Sequence, residues 1–338
     1  MPSFAPENSH SRLLAETPRK LAFDPSKNFQ HWRQEMDKKL HDLVGIMPDQ
    51  VPLNIRIEWE ESHDEFDETR FLFTSEEDAD VPCHLLLPKN AQQPLPVVIC
   101  LQGHSTGMHI SLGRPNEEYG DGPIEGDRDF AIQAVAQGYA ALVMEQRCFG
   151  ERKQVDEKRG GNRCHHASMT ALLLGRTMVG ERCWDVFRAI DVLENFDAVD
   201  TGRIACMGNS GGGTITFFAA CLDQRISVVM PSCYVCTFRD SIGSLNHCAD
   251  NYVPGVLQNF EMGDLAGLIA PRPFVVVAGR DDPIFPVAAV EETFALIAEV
   301  YSAAGAADNC RLIIGDGGHR FYAEPAWPAF RELSGWSD

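Results

Sequence analysis

The chain has 338 residues, 44% of them hydrophobic and 23% charged, with a formal net charge of −20. Such a length builds a large core, as one big α/β domain or two smaller ones, and the acidic balance argues against binding nucleic acid or an anionic membrane through bulk electrostatics. No run approaches the roughly 20 apolar residues of a membrane span, the first residues lack the apolar stretch of a secretory signal, and eleven cysteines without framework spacing point to a reduced, cytoplasmic compartment.

Residues 1–50 read as an N-terminal helical extension. Within it, "DPSKNFQHWRQEMDKKLHDLVG" predicts a helix with Asp24 as N-cap, Pro25 in the first turn and Gly45 as stop. Phe29, Trp32, Met36, Leu40 and Leu43 share one face at helical spacing, so this helix is expected to pack on the main body. Residues 51–338 form the remaining, catalytic-size domain. It starts with "LNIRIEWE", whose strict alternation predicts a half-buried strand with Leu53, Ile55, Ile57 and Trp59 on one side. "TRFLFTS" and "VPCHLLLP" extend an antiparallel start to a sheet.

From residue 95 the pattern changes. "LPVVICLQG", "YAALVME", "RIACMG", "ISVVMPSC", "PFVVVAG" and "CRLIIG" are short continuous apolar runs, as strands covered on both faces must be. Helical stretches lie between several of them: "DRDFAIQAVAQG", "CWDVFRAIDVLENF" and "VAAVEETFALIAEVYSAAG". The class is therefore α/β, a mostly parallel central sheet with antiparallel N-terminal strands and helices on both faces. Two long connections, near 148–183 and 236–268, read as lid-like insertions.

"IACMGNSGGGTITFFAA" holds the strongest chemical signal. Gly208, Asn209, Ser210, Gly211 and Gly212 match G-x-S-x-G between a predicted strand and a predicted helix, the context of a nucleophile elbow. A serine hydroxyl needs a base, and the base a carboxylate, to become a nucleophile. His319 in "GDGGHRFY" is the only histidine beyond position 247, and "GRDDPIFP" supplies Asp281 and Asp282. Both segments follow predicted strands, where ligands bind in open α/β sheets. Asp240 in "CTFRDSIG" is an outside candidate for the acid. An oxyanion needs two preorganised donors. The backbone N–H of Gly211 is one candidate, and that of His104, in the loop after "VVICLQG", is the other.

Cys233 and Cys236 have C-x-x-C spacing, with His247 and Cys248 further on, but no second C-x-x-C completes a zinc site, and reduced buried thiols are the expectation. Arg147, just past a predicted strand, could orient the mouth of a pocket or contact a polar substrate. The charged stretch around it otherwise reads as a solvated loop.

GNSGG, GRDDPIFP, GGHRF and the upstream Q-G-H together resemble the α/β-hydrolase superfamily, within it the acetyl xylan esterase-like and dienelactone hydrolase-like serine esterases. The helical arm and "EQRCFGER" fit that group, and the resemblance covers roughly residues 50–335. It implies Ser210 as nucleophile, His319 as base and Asp282, the aspartate before proline, as the acid. True dienelactone hydrolases use cysteine where this chain has serine, which favours the ester-cleaving branch. The oxyanion loop departs from the commoner H-G-x pattern. The resemblance implies a small-molecule ester substrate with a short acyl group, no metal and no organic cofactor, and homo-oligomers are common in the group. A lactone or C–C bond hydrolase with the same triad, and a catalytically silent binding module, are the alternatives.

Overall fold

The structure, a computed structural model, describes residues 4–89, 91–115, 125–153 and 164–336. Among these residues nine strands form one sheet: β1 (Arg56–Ser62), β2 (Phe66–Glu76), β3 (Ala79–Pro88), β4 (Leu95–Leu101), β5 (Ala140–Met144), β6 (Val199–Asn209), β7 (Ile226–Ser232), β8 (Phe274–Gly279) and β9 (Cys310–Gly315). Their order across the sheet is β1-β2-β3-β5-β4-β6-β7-β8-β9. Pairing is antiparallel from β1 through β5 and parallel from there on, as the change of apolar pattern at residue 95 predicts.

Side chains of the central strands alternate between two layers. Val97, Ile99, Leu101, Ile204 and Cys206 belong to one core, with α2 (Phe29–Val44), α5 (Met178–Leu193), α6 (Gly211–Leu222), α7 (Met262–Ile269) and α8 (Val287–Ala303). Val98, Cys100, Ala205 and Met207 belong to the other, with α3 (Phe130–Ala136) and α9 (Ala323–Ser334). Both faces are covered along residues 97–101 and 204–207, and no polar residue interrupts either run.

The arm packs as its periodicity demands. Trp32, Met36, Leu40 and Val44 of α2 are buried, each contributing roughly 1.5–3 kcal/mol. The helix starts later than predicted. Asp24 spends its carboxylate on a local turn, accepting the Ser26 N–H at 3.0 Å, and Asn28 caps the helix instead, accepting from the His31 N–H at 2.9 Å. A shorter helix, α1 (Pro6–Glu16), precedes it with no buried residue.

Two further expectations need correcting. β1 starts at Arg56, is the sheet's edge and is exposed along its whole length. A bulge turns Ile57 and Trp59 to opposite faces, and of the predicted apolar face Leu53 and Ile55, ahead of the strand, pack on the core. The helix read from Cys183 begins at Met178, where the Thr177 hydroxyl caps it by accepting the Gly180 N–H at 3.0 Å. The 148–183 connection also carries α4 (His165–Leu173), and its residues 154–163 lie outside the described residues. The 236–268 connection contains 3₁₀ turns at Ala249–Asn251 and Val256–Gln258 and most of α7.

β5 and β6 flank β4 on opposite sides, so the chain reverses its direction of travel across the sheet at β4. Loops leaving the C-terminal ends of β4 and β6 therefore part, and the crevice between them is where this kind of sheet binds ligands. His104 follows β4 and Ser210 follows β6.

Candidate active site

Ser210 has φ 56° and ψ −122°, a conformation costly for a residue with a side chain. Its surroundings impose it. The Ser210 N–H donates to the Ser232 carbonyl of β7 at 2.9 Å, while its own carbonyl accepts from the Thr214 N–H at 2.9 Å as the first turn of α6 forms. So tight a strand-to-helix turn leaves no room beside it. A Cβ on Gly212 would lie 2.0 Å from the Leu101 carbonyl oxygen, and one on Gly103 would lie 2.8 Å from the Ser210 Cβ. Gly211 opens α6, so its N–H has no partner within the helix.

Asp282 lies just past β8 with its side chain buried. One oxygen, Oδ2, is 2.8 Å from His319 Nδ1, and the other accepts the N–H groups of Ile284 at 2.8 Å and Phe285 at 3.2 Å. Burial pushes the Asp282 carboxyl up, but the His319 imidazole and the two N–H groups outweigh it and leave it below its ordinary value. The other carboxylates the sequence offers are elsewhere. Asp281 is exposed, and Asp240 is bonded to Arg239 and Thr237.

His319 follows β9, three strands from Ser210 across the sheet, yet its loop folds back over β8. The Arg320 carbonyl accepts from Cys233 Sγ at 3.1 Å and from Ser232 Oγ at 3.5 Å, and Ser232 is the residue whose carbonyl holds the Ser210 N–H. The His319 ring stacks on Phe285 with centroids 5.8 Å apart. With Nδ1 committed to Asp282, Nε2 is the nitrogen left for another partner.

The loop after β4 is fixed by side chains of the predicted "EQR" segment. Gln146 Nε2 donates to the Gln102 carbonyl, and Glu145 accepts the Met108 N–H at 3.1 Å. Gln102 in turn donates to Ser111 Oγ and to the Arg128 carbonyl, both at 2.7 Å. The loop thereby sets His104 against α6: a Cβ on Gly211 would stand 3.7 Å from the His104 backbone nitrogen.

Arg147 is turned into the protein. Its guanidinium is 12% exposed and holds Asp185 through two 2.9 Å bonds, Glu76 at 2.6 Å and Glu181 at 3.2 Å. Each of the three guanidinium nitrogens bonds a carboxylate of the protein, and these bonds tie β2 to α5.

Sequence patterns gave no sign of Asp250 and Arg182. Asp250 is buried, accepts from Arg182 at 2.7 Å, and lies 2.9 and 3.1 Å from His104 Nε2. No motif marks either residue, and 68 positions separate them. Among the described residues, two groups bring three metal-capable donors within 4.8 Å of one another: His104, Cys248 and Asp250, and Cys233, Asp282 and His319. Neither is built as an ion site. Arg182 already supplies the cation beside Asp250, and Asp282 has its lone pairs committed to N–H groups and an imidazole. The Cys233 and Cys236 side chains remain buried thiols, their pKa pushed up by burial to about 12.

The sheet order, the antiparallel strands confined to one end and the helices on both faces define an α/β-hydrolase. The acetyl xylan esterase (AXE1) family model matches residues 48–253, and the chain belongs to that family: it is a carboxylic ester hydrolase of the acetyl xylan esterase kind. It is 28% identical over 308 residues to YtaP of Bacillus subtilis (strain 168), provisionally named a hydrolase, covering 90% of this chain and 99% of that one. A Bacteroides fragilis NCTC 9343 structure, provisionally named an acetyl xylan esterase, matches with a TM-score of 0.78 at 16% identity, over 98% of this chain and 90% of that one. A glucuronoyl esterase from Solibacter usitatus matches with a TM-score of 0.71 at 18% identity, over 96% and 100%. At such identities the structural likeness speaks for the fold.

Proposed function

We propose that the chain is a serine esterase that removes short acyl groups, acetyl foremost, from the hydroxyls of a carbohydrate. The observation that carries this is the Asp282–His319 pair on a loop folded back to the strand that holds Ser210. Ser210 Oγ attacks the ester carbonyl while His319 Nε2 takes its proton, and Asp282 keeps the imidazole in the tautomer that presents Nε2. The N–H groups of Gly211 and His104 receive the negative charge that develops on the carbonyl oxygen. His319 returns the proton to the departing alcohol. Water, deprotonated by the same imidazole, then frees the acid and Ser210. Donors from the chain itself do the polarising, so the scheme calls for no metal or organic cofactor.

The family match supports an acetylated carbohydrate over other esters. Eleven cysteines without disulfide-framework spacing support a reduced, cytoplasmic setting. Hydrolysis of p-nitrophenyl acetate, butyrate and octanoate and of acetylated xylo-oligosaccharides, by wild type and by Ser210→Ala, tests the reading. Acetate is expected to turn over best, and the variant to lose roughly 10⁴- to 10⁶-fold in kcat. Equal turnover by the two proteins would overturn the assignment of Ser210, and two inert proteins would mark a binding module.

A further inference from the structure

A second aspartate–histidine pair borders the turn at Ser210. His104 presents Nε2 to both oxygens of Asp250, at 2.9 and 3.1 Å, and Asp250 is in turn held by the buried guanidinium of Arg182 at 2.7 Å. The Phe149 ring closes the arrangement. Arg182 lies over its face, 4.4 Å from the centroid, and the His104 ring meets it at 5.0 Å in an edge contact. These contacts fix the direction of the imidazole. With Nε2 turned to Asp250, Nδ1 is on the side of Gly211, 2.9 Å from where a Cβ on that glycine would stand. Gly211 has no side chain, and that is what lets the ring sit there.

The two pairs are built differently. Asp282 binds Nδ1 of its histidine and is itself held by neutral backbone N–H groups, which leaves Nε2 of His319 outward. Asp250 binds Nε2 of its histidine and is held by a cation, which leaves Nδ1 of His104 toward the elbow. The first suits a base that gains and loses a proton, the second a fixed donor.

We propose that the Nδ1–H of His104, held in place by Asp250 and Arg182, is a third hydrogen-bond donor to the oxyanion, beside the backbone N–H groups of Gly211 and His104. The proposal rests on the serine esterase reading above. No proton changes hands through this group: His319 carries out the transfers, and His104 keeps its charge through the cycle. The donor exists only while the imidazole is protonated. Burial opposes that charge, but Asp250 and Cys164 outweigh it and raise the His104 pKa to about 9. The groups that face the ring are Asp250, Cys248 and His247 from the 236–268 insertion, Cys164 ahead of α4, and Arg182 of α5. Cys148 stands behind Cys164 and Arg182. Contact with Cys164 lowers the Cys248 pKa, so pH profiles are best read in a Cys248→Ser background, where that titration is removed.

His104→Gln keeps the backbone N–H and an amide able to reach Asp250, but loses the cationic donor. It is expected to lower kcat on p-nitrophenyl acetate about 10²- to 10³-fold, the usual loss for one oxyanion donor, with KM within about threefold. In the Cys248→Ser background, kcat is expected to fall as pH rises through about 9, where the imidazole gives up its charge. Asp250→Asn should move that alkaline limb toward the ordinary histidine value of about 6.5. A strut would change thermal stability and KM and leave both kcat and the limb in place, and that result overturns the proposal. Should Asp250→Asn fail to fold, NMR of histidine-labelled wild type, with the His104 signal assigned by its loss in His104→Gln, decides: a neutral His104 at pH 7 overturns the proposal, a charged one supports it. Ser210→Ala run alongside separates the two readings. If it is dead and His104→Gln keeps its kcat, the third donor falls alone. If Ser210→Ala still turns over, the esterase reading falls with it.

Discussion

Asp282 reaches His319 with one carboxylate oxygen and is pinned by two backbone N–H groups at the other, so it has no freedom to turn away from the imidazole. Asp282→Asn keeps the shape and replaces an acceptor by an amide whose N–H favours the wrong imidazole tautomer. A loss of about 10⁴-fold in kcat is expected, with a folded protein. Asp281→Asn, one residue away on an exposed side chain, should stay within about twofold of wild type. Steady-state hydrolysis of p-nitrophenyl acetate by the two variants is the check; a crippled Asp281→Asn beside an active Asp282→Asn would reverse the roles.

Much of this arrangement is legible in the sequence, and for a physical reason. Strands buried on both faces are continuous apolar runs, and the residues just past their C-terminal ends are the ones that meet over a parallel sheet. Ser210, Asp282 and His319 all stand at such ends. What pattern reasoning misses has no such anchor. Asp250 sits in a 3₁₀ turn inside an insertion and Arg182 on the first turns of α5, and their 2.7 Å contact exists only because two irregular connections fold against each other. β1 fails in the opposite way. Ile57 and Trp59 alternate in the sequence, but a bulge between them turns them to opposite faces, pairing Ile57 with Phe71 and Trp59 with Arg70, and periodicity cannot report a bulge. Arg147 shows the same limit for charge: its position past β5 suggests a pocket mouth, while its three carboxylate partners come from β2 and α5, far along the chain.

Those partners yield a prediction that separates packing from substrate contact. Arg147→Ala would leave Asp185, which is buried, with Arg152 at 2.6 Å as its cation, and would leave Glu76 and Glu181 sharing Arg176. Breaking a buried ion pair costs about 3–5 kcal/mol where it strands a charge. Each of these carboxylates keeps a cation, so urea unfolding should show a loss below that range, about 1–3 kcal/mol, while KM for p-nitrophenyl acetate in the folded fraction stays within about twofold. A raised KM with unchanged stability would put Arg147 on the substrate after all.

Glu145 gives the fold a pH dependence of unusual sign. Its carboxyl is buried under the loop it holds, with the Met108 N–H at 3.1 Å as a partner. Burial raises its pKa to about 7, against the pull of the backbone N–H groups. In the unfolded chain the same group titrates near 4.3. Between those values the folded protein holds a proton that the unfolded chain has released, so stability falls as pH rises through the window. The cost is absent below about pH 4 and complete above about pH 7, where it is on the order of 3 kcal/mol. Glu145→Gln keeps an oxygen for the Met108 N–H and has no proton to lose. Its stability relative to wild type should therefore climb between pH 5 and pH 8, measured as the difference in urea unfolding free energy at each pH. A difference that stays flat across that range would mean that Glu145 ionises in the folded protein as readily as in the unfolded chain, and that the loop carrying His104 is held by a carboxylate rather than a carboxylic acid.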